Sequence, residues 1–308
     1  MAVPTTTGPP HAPPNPSPPV RAGDRTGGAH LTSSDASISA SAPTGPTLSP
    51  VVLAQRIRAD VIRMAGSAEG AHVGGSLSCA DLIAVLYAEL LRPGDSFVLS
   101  KGHAAPALYS ALAQLGRIPV SELDSYAQPG SRLFGHPPYD LPGVEFATGS
   151  LGHGLGLSVG LSLAEQLSGG DRHVYALLGD GELQEGSVWE AALLAGHRKL
   201  PGLVAAVDRN GLQITGRTED CVTLEPLDAK FAAFGWQVRT IDGHDLSVLR
   251  EALWPSTAGP VAVIARTVKG RGVPFLEQRV ASHYAKLKPA LVRRALAALS
   301  RPTPGDAP

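Results

Sequence analysis

Cysteine is nearly missing: Cys79 and Cys221 are the only two in 308 residues, far apart and without metal-like spacing. That excludes a disulfide scaffold and suits a reducing, cytoplasmic setting, with both thiols expected to be buried and inert. A dominant charge sign is missing too. With 27 acidic against 26 basic residues the net charge is −1, so no bulk field recruits nucleic acid or an anionic membrane, and partners are expected to be recognised by packing. No window approaches the roughly 20 apolar residues of a membrane span, and no internal repeat is apparent. Proline, in contrast, crowds one end: Met1–Pro50 holds eleven of the 27 prolines and only four charged residues. Such a segment buries too little apolar surface to fold and is expected to be a disordered leader. It has neither the continuous apolar stretch of a secretory signal nor the Arg-rich amphipathic character of a transit peptide. Residues 51–308 suffice for one domain that buries its own core.

Along that stretch the periodicity alternates between helical and strand-like. Helices are expected at Leu53–Met64, Ser78–Leu91, Ala104–Leu115, Leu151–Leu167, Leu183–Lys199, Leu227–Phe234, Leu246–Leu253 and Pro289–Leu299. Strands are expected at Phe97–Leu99, His173–Leu178, Leu203–Asp208, Gln237–Ile241 and Val261–Ala265. Ser78 and Asp81 have the spacing of a capping box. Gly130–Gly149 reads as a long Pro/Gly-rich loop, and loops of that length in compact domains usually serve function. The alternation predicts an α/β fold, a parallel sheet sandwiched by helices.

Two of these strands carry the chemistry. HVYALL runs into Gly179-Asp180-Gly181, and LVAAVD runs into Arg209-Asn210-Gly211. The helix between them travels about 25 Å back and the second strand returns about 20 Å, so a right-handed crossover brings Asp180 and Asn210 to one carboxyl edge of the sheet. Asp180 offers charge, Asn210 a neutral amide oxygen, and a backbone carbonyl near Leu212 a third oxygen; a Mg²⁺ ion bound to phosphate accepts such a set. Gly179, Gly181 and Gly211 let a phosphate approach the main chain, and the following helix start adds N–H groups. The same residues also suit a tight turn with Asp180 as a helix cap and Asn210 in an ordinary turn. Residue types alone leave both open.

The wording of the chain goes further. GDG followed at a distance by a terminal Asn is the thiamine-diphosphate-binding signature, and GDGELQEGSVWEAA with DRNGLQ resembles the amino-terminal half of transketolase. Other blocks agree in order: AHVGGSLSCADL, DSFVLSKGHAAPALYSAL, GSRLFGHP, LPGVEFATGSLGHGLGLSVGLSLA and TVKGRGVPFLE. The resemblance spans Leu53–Leu299 and implies the diphosphate-binding domain of the thiamine-diphosphate-binding fold. A full transketolase adds a pyrimidine-binding domain and a third domain, for which this length leaves no room. The expectation is therefore a split enzyme completed by a carboxyl-terminal-half partner subunit in a heterotetramer with two copies of each chain (α₂β₂).

The resemblance also implies roles. The cofactors are thiamine diphosphate and Mg²⁺, the ion held by Asp180, Asn210 and the carbonyl of Leu212. His72 and His136 would face a sugar-like substrate, His103 would reach both diphosphate and substrate, and His283 would stand near the cofactor's reactive end. Ordinary histidine pKa values near 6.5 suit the proton transfers of ketol chemistry. Gly149, Ser150 and Leu151 would pack on the pyrimidine end. Glu182 and Glu185, in the first turn of a helix, join the cofactor set; dipole preference alone accounts for Glu182, while Glu185 would lie at the interface with the partner. Lys269 and Arg271 suit either a cofactor entrance or a solvated basic loop. His153 and Tyr284 depart from the family wording, standing where glutamine and glycine are frequent. The implied reaction moves a two-carbon ketol unit from a ketose to an aldehyde, with the glutamate that activates the pyrimidine supplied by the partner. The alternatives are transfer to a carrier-bound acceptor, a 2-oxo acid dehydrogenase α subunit, and a catalytically silent partner-binding subunit.

Overall fold

Helix α1 (Pro50–Ala65) starts on a proline, tolerated where an N–H has no partner to lose, and the Ser49 hydroxyl accepts the Val52 N–H. The computed structural model describes residues 48–301 except Ala68, so the expected leader lies, apart from its last three residues, outside the described part. Two short helices follow, α2 (Gly74–Ser78) and α3 (Ala80–Val85), then a π turn at Leu86–Leu90. Next come β1 (Ser96–Leu99), α4 (Ala105–Gln114), α5 (Gly154–Ser168), β2 (Val174–Gly179), α6 (Gly186–Arg198) and β3 (Leu203–Arg209). A small hairpin, β4 (Leu212–Gln213) with β5 (Gly216–Arg217), and α7 (Thr218–Cys221) lead to α8 (Leu227–Ala233). The chain ends with β6 (Gln237–Asp242), α9 (Leu246–Ala252), β7 (Val261–Arg266) and α10 (Pro289–Leu299).

The main sheet has the order β1-β2-β3-β7-β6, and every neighbouring pair is parallel. Period-two alternation divides its side chains between two cores. Tyr175, Leu177, Val204, Ala206 and Val263 pack with α1, α3, α4 and α9, whereas Val174, Ala176, Leu178, Ala205 and Val207 pack with α5, α6 and α8. A strand buried on both faces must be apolar throughout, which is why β2 and β3 read as continuous hydrophobic runs. Each Val or Leu so buried contributes about 1.5–3 kcal/mol. No described helix is long and apolar enough to cross a membrane.

Several local expectations need correction. The single helix expected over Ser78–Leu91 is broken at Cys79, and Ser78 caps nothing; its hydroxyl reaches Asp208 Oδ2 at 2.6 Å. Asp81 is committed elsewhere, to Arg58 and His244. Helix α5 begins at Gly154, not Leu151, because Gly152 adopts φ +84 and ends any regular run before it. Helix α6 starts at Gly186, after a 3₁₀ turn over Gly181–Gln184. The hairpin and α7 were not expected. Cys79 is buried as anticipated, its thiol pushed up to about 12 by burial, but Cys221 is exposed because only Thr218 of α7 is buried.

Gly196 on α6 lets the end of α8 approach its backbone: a Cβ there would lie 1.7 Å from the Phe234 carbonyl oxygen. Neither backbone yields without disturbing the Trp236 Nε1 bond to Ala192 O beside it (2.8 Å). Gly196→Ala is expected to cost at least about 3 kcal/mol, the upper part of the overpacking range, read as a lowered urea midpoint at unchanged m-value.

Candidate active site

Register decides what meets at the carboxyl edge. Gly179 pairs with Asp208, so the GDG and DRNG turns leave the sheet side by side. Asp180, 2% exposed, accepts N–H bonds from Gly181 (2.8 Å) and Gly211 (2.5 Å) and faces Arg209 Nη1 at 3.2 Å. Burial, and then the neighbouring Asp208 carboxylate, raise its pKa above the ordinary carboxylate range. Asn210 turns Oδ1 to the Leu212 N–H (3.1 Å), and the Leu212 carbonyl accepts Lys269 Nζ (2.8 Å). The Asp180 carboxylate thus rests against the Asn210–Leu212 turn, and two of the three oxygens anticipated as metal ligands already face a side-chain cation.

Asp208, which sequence reasoning passed over, is the hub beneath them. It has no solvent exposure and accepts from Lys101 Nζ, Thr267 Oγ1, Ser78 Oγ (2.6 Å) and Asn210 Nδ2 (3.2 Å). Burial works against its charge, but Lys101 and the Ser78 and Thr267 hydroxyls together outweigh it and hold the pKa below the usual value. Lys101, also buried, is pulled down by burial and held up at about 12 by Asp208. The available signal was a lone acid ending an otherwise apolar strand.

Glu182 is a second hub, and its role differs from a helix-dipole preference. It lies in the 3₁₀ turn, 1% exposed, where one carboxylate oxygen accepts from Ser100 Oγ (2.5 Å) and Gly152 N (3.0 Å) and the other from Gly179 N (3.0 Å). It therefore pins the GSLG loop to the GDG turn and to the end of β1. Glu185 is not in a first helical turn either. It occupies the N-cap position of α6, exposed and without a capping bond, its Cβ close to Gly152. Gly149 and Ser150 are exposed and Leu151 is half-buried; a Cβ on Gly149 would meet the His136 ring at 3.2 Å. His153 is exposed, its Nδ1 3.1 Å from the Leu151 carbonyl oxygen.

The structure brings all four anticipated histidines together. The His72 ring centroid lies 5.7 Å from His103, 5.4 Å from His136 and 5.6 Å from His283, and His103 stacks on His283 at 5.2 Å. Tyr284 closes against His72 at 4.9 Å, its hydroxyl donating to the Glu69 carbonyl. Their pKa values are all lowered from 6.5. Burial first, then His136 and Lys269, lower His72 to about 4; burial, Lys269 and His72 lower His283 to about 3. Burial and Lys101 take His103 well down, and burial lowers His136. At neutral pH these are uncharged imidazoles, able to donate and accept hydrogen bonds but not stored protons. His72 Nδ1 is buried without a partner. Lys269 is not part of a solvated loop: it is 2% exposed, 3.2 Å from His283 Nδ1, and lowered to about 8 by burial and by Lys101.

Residues 51–300 match the family model described as transketolase, thiamine diphosphate binding domain. The chain belongs to this family. The chain is 41% identical over 243 residues to the 6-deoxy-6-sulfo-D-fructose transketolase subunit SqwG of Clostridium sp. (strain MSTE9), covering 75% of this chain and 88% of that one. It is 43% identical over 237 residues to an apulose-4-phosphate transketolase subunit of Actinobacillus succinogenes, covering 73% and 86%. Among solved structures, transketolase from Leishmania mexicana superposes with a TM-score of 0.76 at 29% identity, over 83% of this chain and 42% of that chain. Transketolase from Campylobacter jejuni gives 0.73 at 31%, over 82% and 42%. The chain thus spans about two-fifths of these solved transketolases and most of the two subunits.

Two measurements probe this electrostatic arrangement. Lys101→Met leaves Asp208 buried without its cation and is expected to destabilise the fold by about 3–5 kcal/mol in urea titration. Acid should also destabilise it. Because His72 and His283 titrate lower folded than unfolded, the unfolded chain binds more protons below pH 6.5; stability is complete above that pH and lost as pH falls toward about 4 and then 3. His72→Asn should reduce the unfolding free energy lost between pH 6.5 and 4, measured by urea titration at each pH, by about 1–2 kcal/mol after discounting for partial exposure.

Proposed function

We propose that this chain is the diphosphate-binding subunit of a split transketolase, transferring a two-carbon ketol unit from a ketose to an aldehyde once a carboxyl-terminal-half partner is bound. The observation that carries this reading is the pair of adjacent strand tips, Gly179 against Asp208, which sets the Asp180 carboxylate on the Asn210–Leu212 turn. The donor set fits Mg²⁺: oxygen only, one carboxylate, one amide and one carbonyl, on an edge where Arg209 and Lys269 show that positive charge is accepted. Asp180, Asn210 and Leu212 O would hold the ion; the Gly179–Gly181 turn, whose glycines leave room beside the main chain, would lie against the diphosphate with His103. Gly149, Ser150 and Leu151 would receive the pyrimidine end, and Glu185 would lie toward the partner.

Thiamine diphosphate, when bound, supplies the carbanion and electron sink for cleaving and forming the carbon–carbon bond. The chain orients and excludes. The four imidazoles, uncharged at neutral pH, would bind substrate hydroxyls as donors and acceptors and pass protons between them. Lys269, lowered to about 8, would hold positive charge beside them. Two relatives are named for ketoses, which favours a ketose donor here. Those relatives are named as subunits and are nearly spanned by this chain, and the pyrimidine-side residues Gly149, Ser150 and Glu185 are exposed; both support completion by a second polypeptide, which we place in an α₂β₂ assembly.

Calorimetry on the full chain with its partner tests the cofactor reading without recourse to turnover. Thiamine diphosphate should bind only with Mg²⁺, and Asp180→Ala should weaken it about 100-fold. Ketol transfer should appear only after the partner is added. Absence of metal-dependent binding with the partner present would instead make this a silent partner-binding subunit.

A further inference from the structure

We infer that a second cavity, lined by α1, α10 and the 271–277 segment, binds a small amphiphilic monoanion: a carboxylate head on a short apolar body. The cavity holds about 350 Å³, and none of its lining residues belongs to the site described above. That volume lies at the small end of the roughly 300–1,000 Å³ of ligand pockets. Its apolar wall is Val51, Ala54, Leu246 and Leu299.

The polar wall points to a negative head. Arg58 is 9% exposed and gives Nη1 and Nη2 to Asp81 (3.0 and 2.5 Å), but its buried Nε has no partner. Gly272, at φ +88, lies beside that nitrogen, where a Cβ would stand 4.0 Å from Nε and 2.7 Å from Leu299 Cδ2 and so crowd the wall. Arg271 and Arg301 line the same space, and among the described residues neither forms an ion pair. Both acids of the cavity are occupied. Asp81 accepts from Arg58 and from His244 Nδ1 (2.7 Å), and Glu277 accepts the Gly272 N–H (2.9 Å). His244 Nε2 accepts the Val268 N–H at 2.8 Å, so its proton sits on Nδ1 and the ring is neutral. Three arginines less two carboxylates leave one positive charge, Nε–H supplies a buried donor for an oxyanion, and the aliphatic wall takes the body.

The inference does not depend on the thiamine reading, and its test separates the two. Calorimetry on the full chain uses hexanoate as probe, hexanol as its uncharged counterpart and inorganic phosphate as a head without a body. Hexanoate should bind one site per chain with a Kd on the order of 1 mM or tighter, and the other two at least about tenfold more weakly. Arg271→Gln and Arg301→Gln, each shown folded by circular dichroism, should weaken hexanoate about tenfold, as loss of a charge-assisted bond predicts. Thiamine diphosphate with Mg²⁺ should not displace it. Absence of saturable hexanoate binding, phosphate binding as tightly as hexanoate, indifference to both substitutions, or displacement by thiamine diphosphate would each overturn the assignment.

Discussion

Asp208 has no contact with water, and it stays charged because Lys101, Ser78, Thr267 and Asn210 all donate to it. Those donors come from four segments: the turn after β1, the end of α2, the residue after β7 and the turn after β3. One carboxylate therefore ties together four of the segments that border the candidate site. A pair so deeply desolvated contributes little net stability as a pair, since the cost of removing two ions from water nearly offsets their attraction. Its value is positional. Take away one partner and the other becomes an uncompensated buried charge, so the arrangement tolerates few alternatives.

The same hub sets the electrostatics around it. Three buried carboxylates, Asp180, Asp208 and Glu182, stand among three cations, Lys101, Arg209 and Lys269. Asp208 raises the pKa of Asp180, and Lys101 lowers those of His103 and Lys269, so each charge is felt by the next. In low dielectric this coupling is strong. A cluster of histidines beside two buried lysines cannot remain poised at an ordinary pKa; burial and the cations both favour the neutral rings. The chemistry open to them at neutral pH is hydrogen bonding and relay through uncharged imidazole, which differs from what their residue type alone suggested.

The parallel strands were legible because strands buried on both faces have no polar residues to hide their length, and β2, β3 and β7 all read as apolar runs. The meeting of Asp180 and Asn210 followed from helix and strand lengths. The histidine cluster was legible only through block-by-block resemblance, since the four residues lie far apart in the chain and share no periodicity. Lys101 to Asp208 and Ser100 to Glu182 connect residues 107 and 82 apart, so nothing local announced them. Helix starts were misplaced for a related reason. Glu182 draws the Gly152 and Gly179 N–H groups to itself, and the backbone around it turns to serve that carboxylate rather than to continue a helix.

This pinning also explains how an open site keeps its shape. Gly149 and Ser150 are exposed to solvent, and exposed loops are ordinarily the least ordered parts of a domain. Here the loop is fastened at Gly152, whose N–H goes to Glu182 and whose carbonyl accepts Ser187 Oγ at 2.9 Å. Thr148 Oγ1 fastens its other side to the Leu99 carbonyl at 2.7 Å. The partners Glu182 and Leu99 are buried, in the 3₁₀ turn before α6 and at the end of β1, so the exposed residues between the two fastenings are presented by a rigid frame. A surface ordered in advance loses less entropy when it is covered. An exposed loop held this firmly supports the view that a second polypeptide supplies the facing wall.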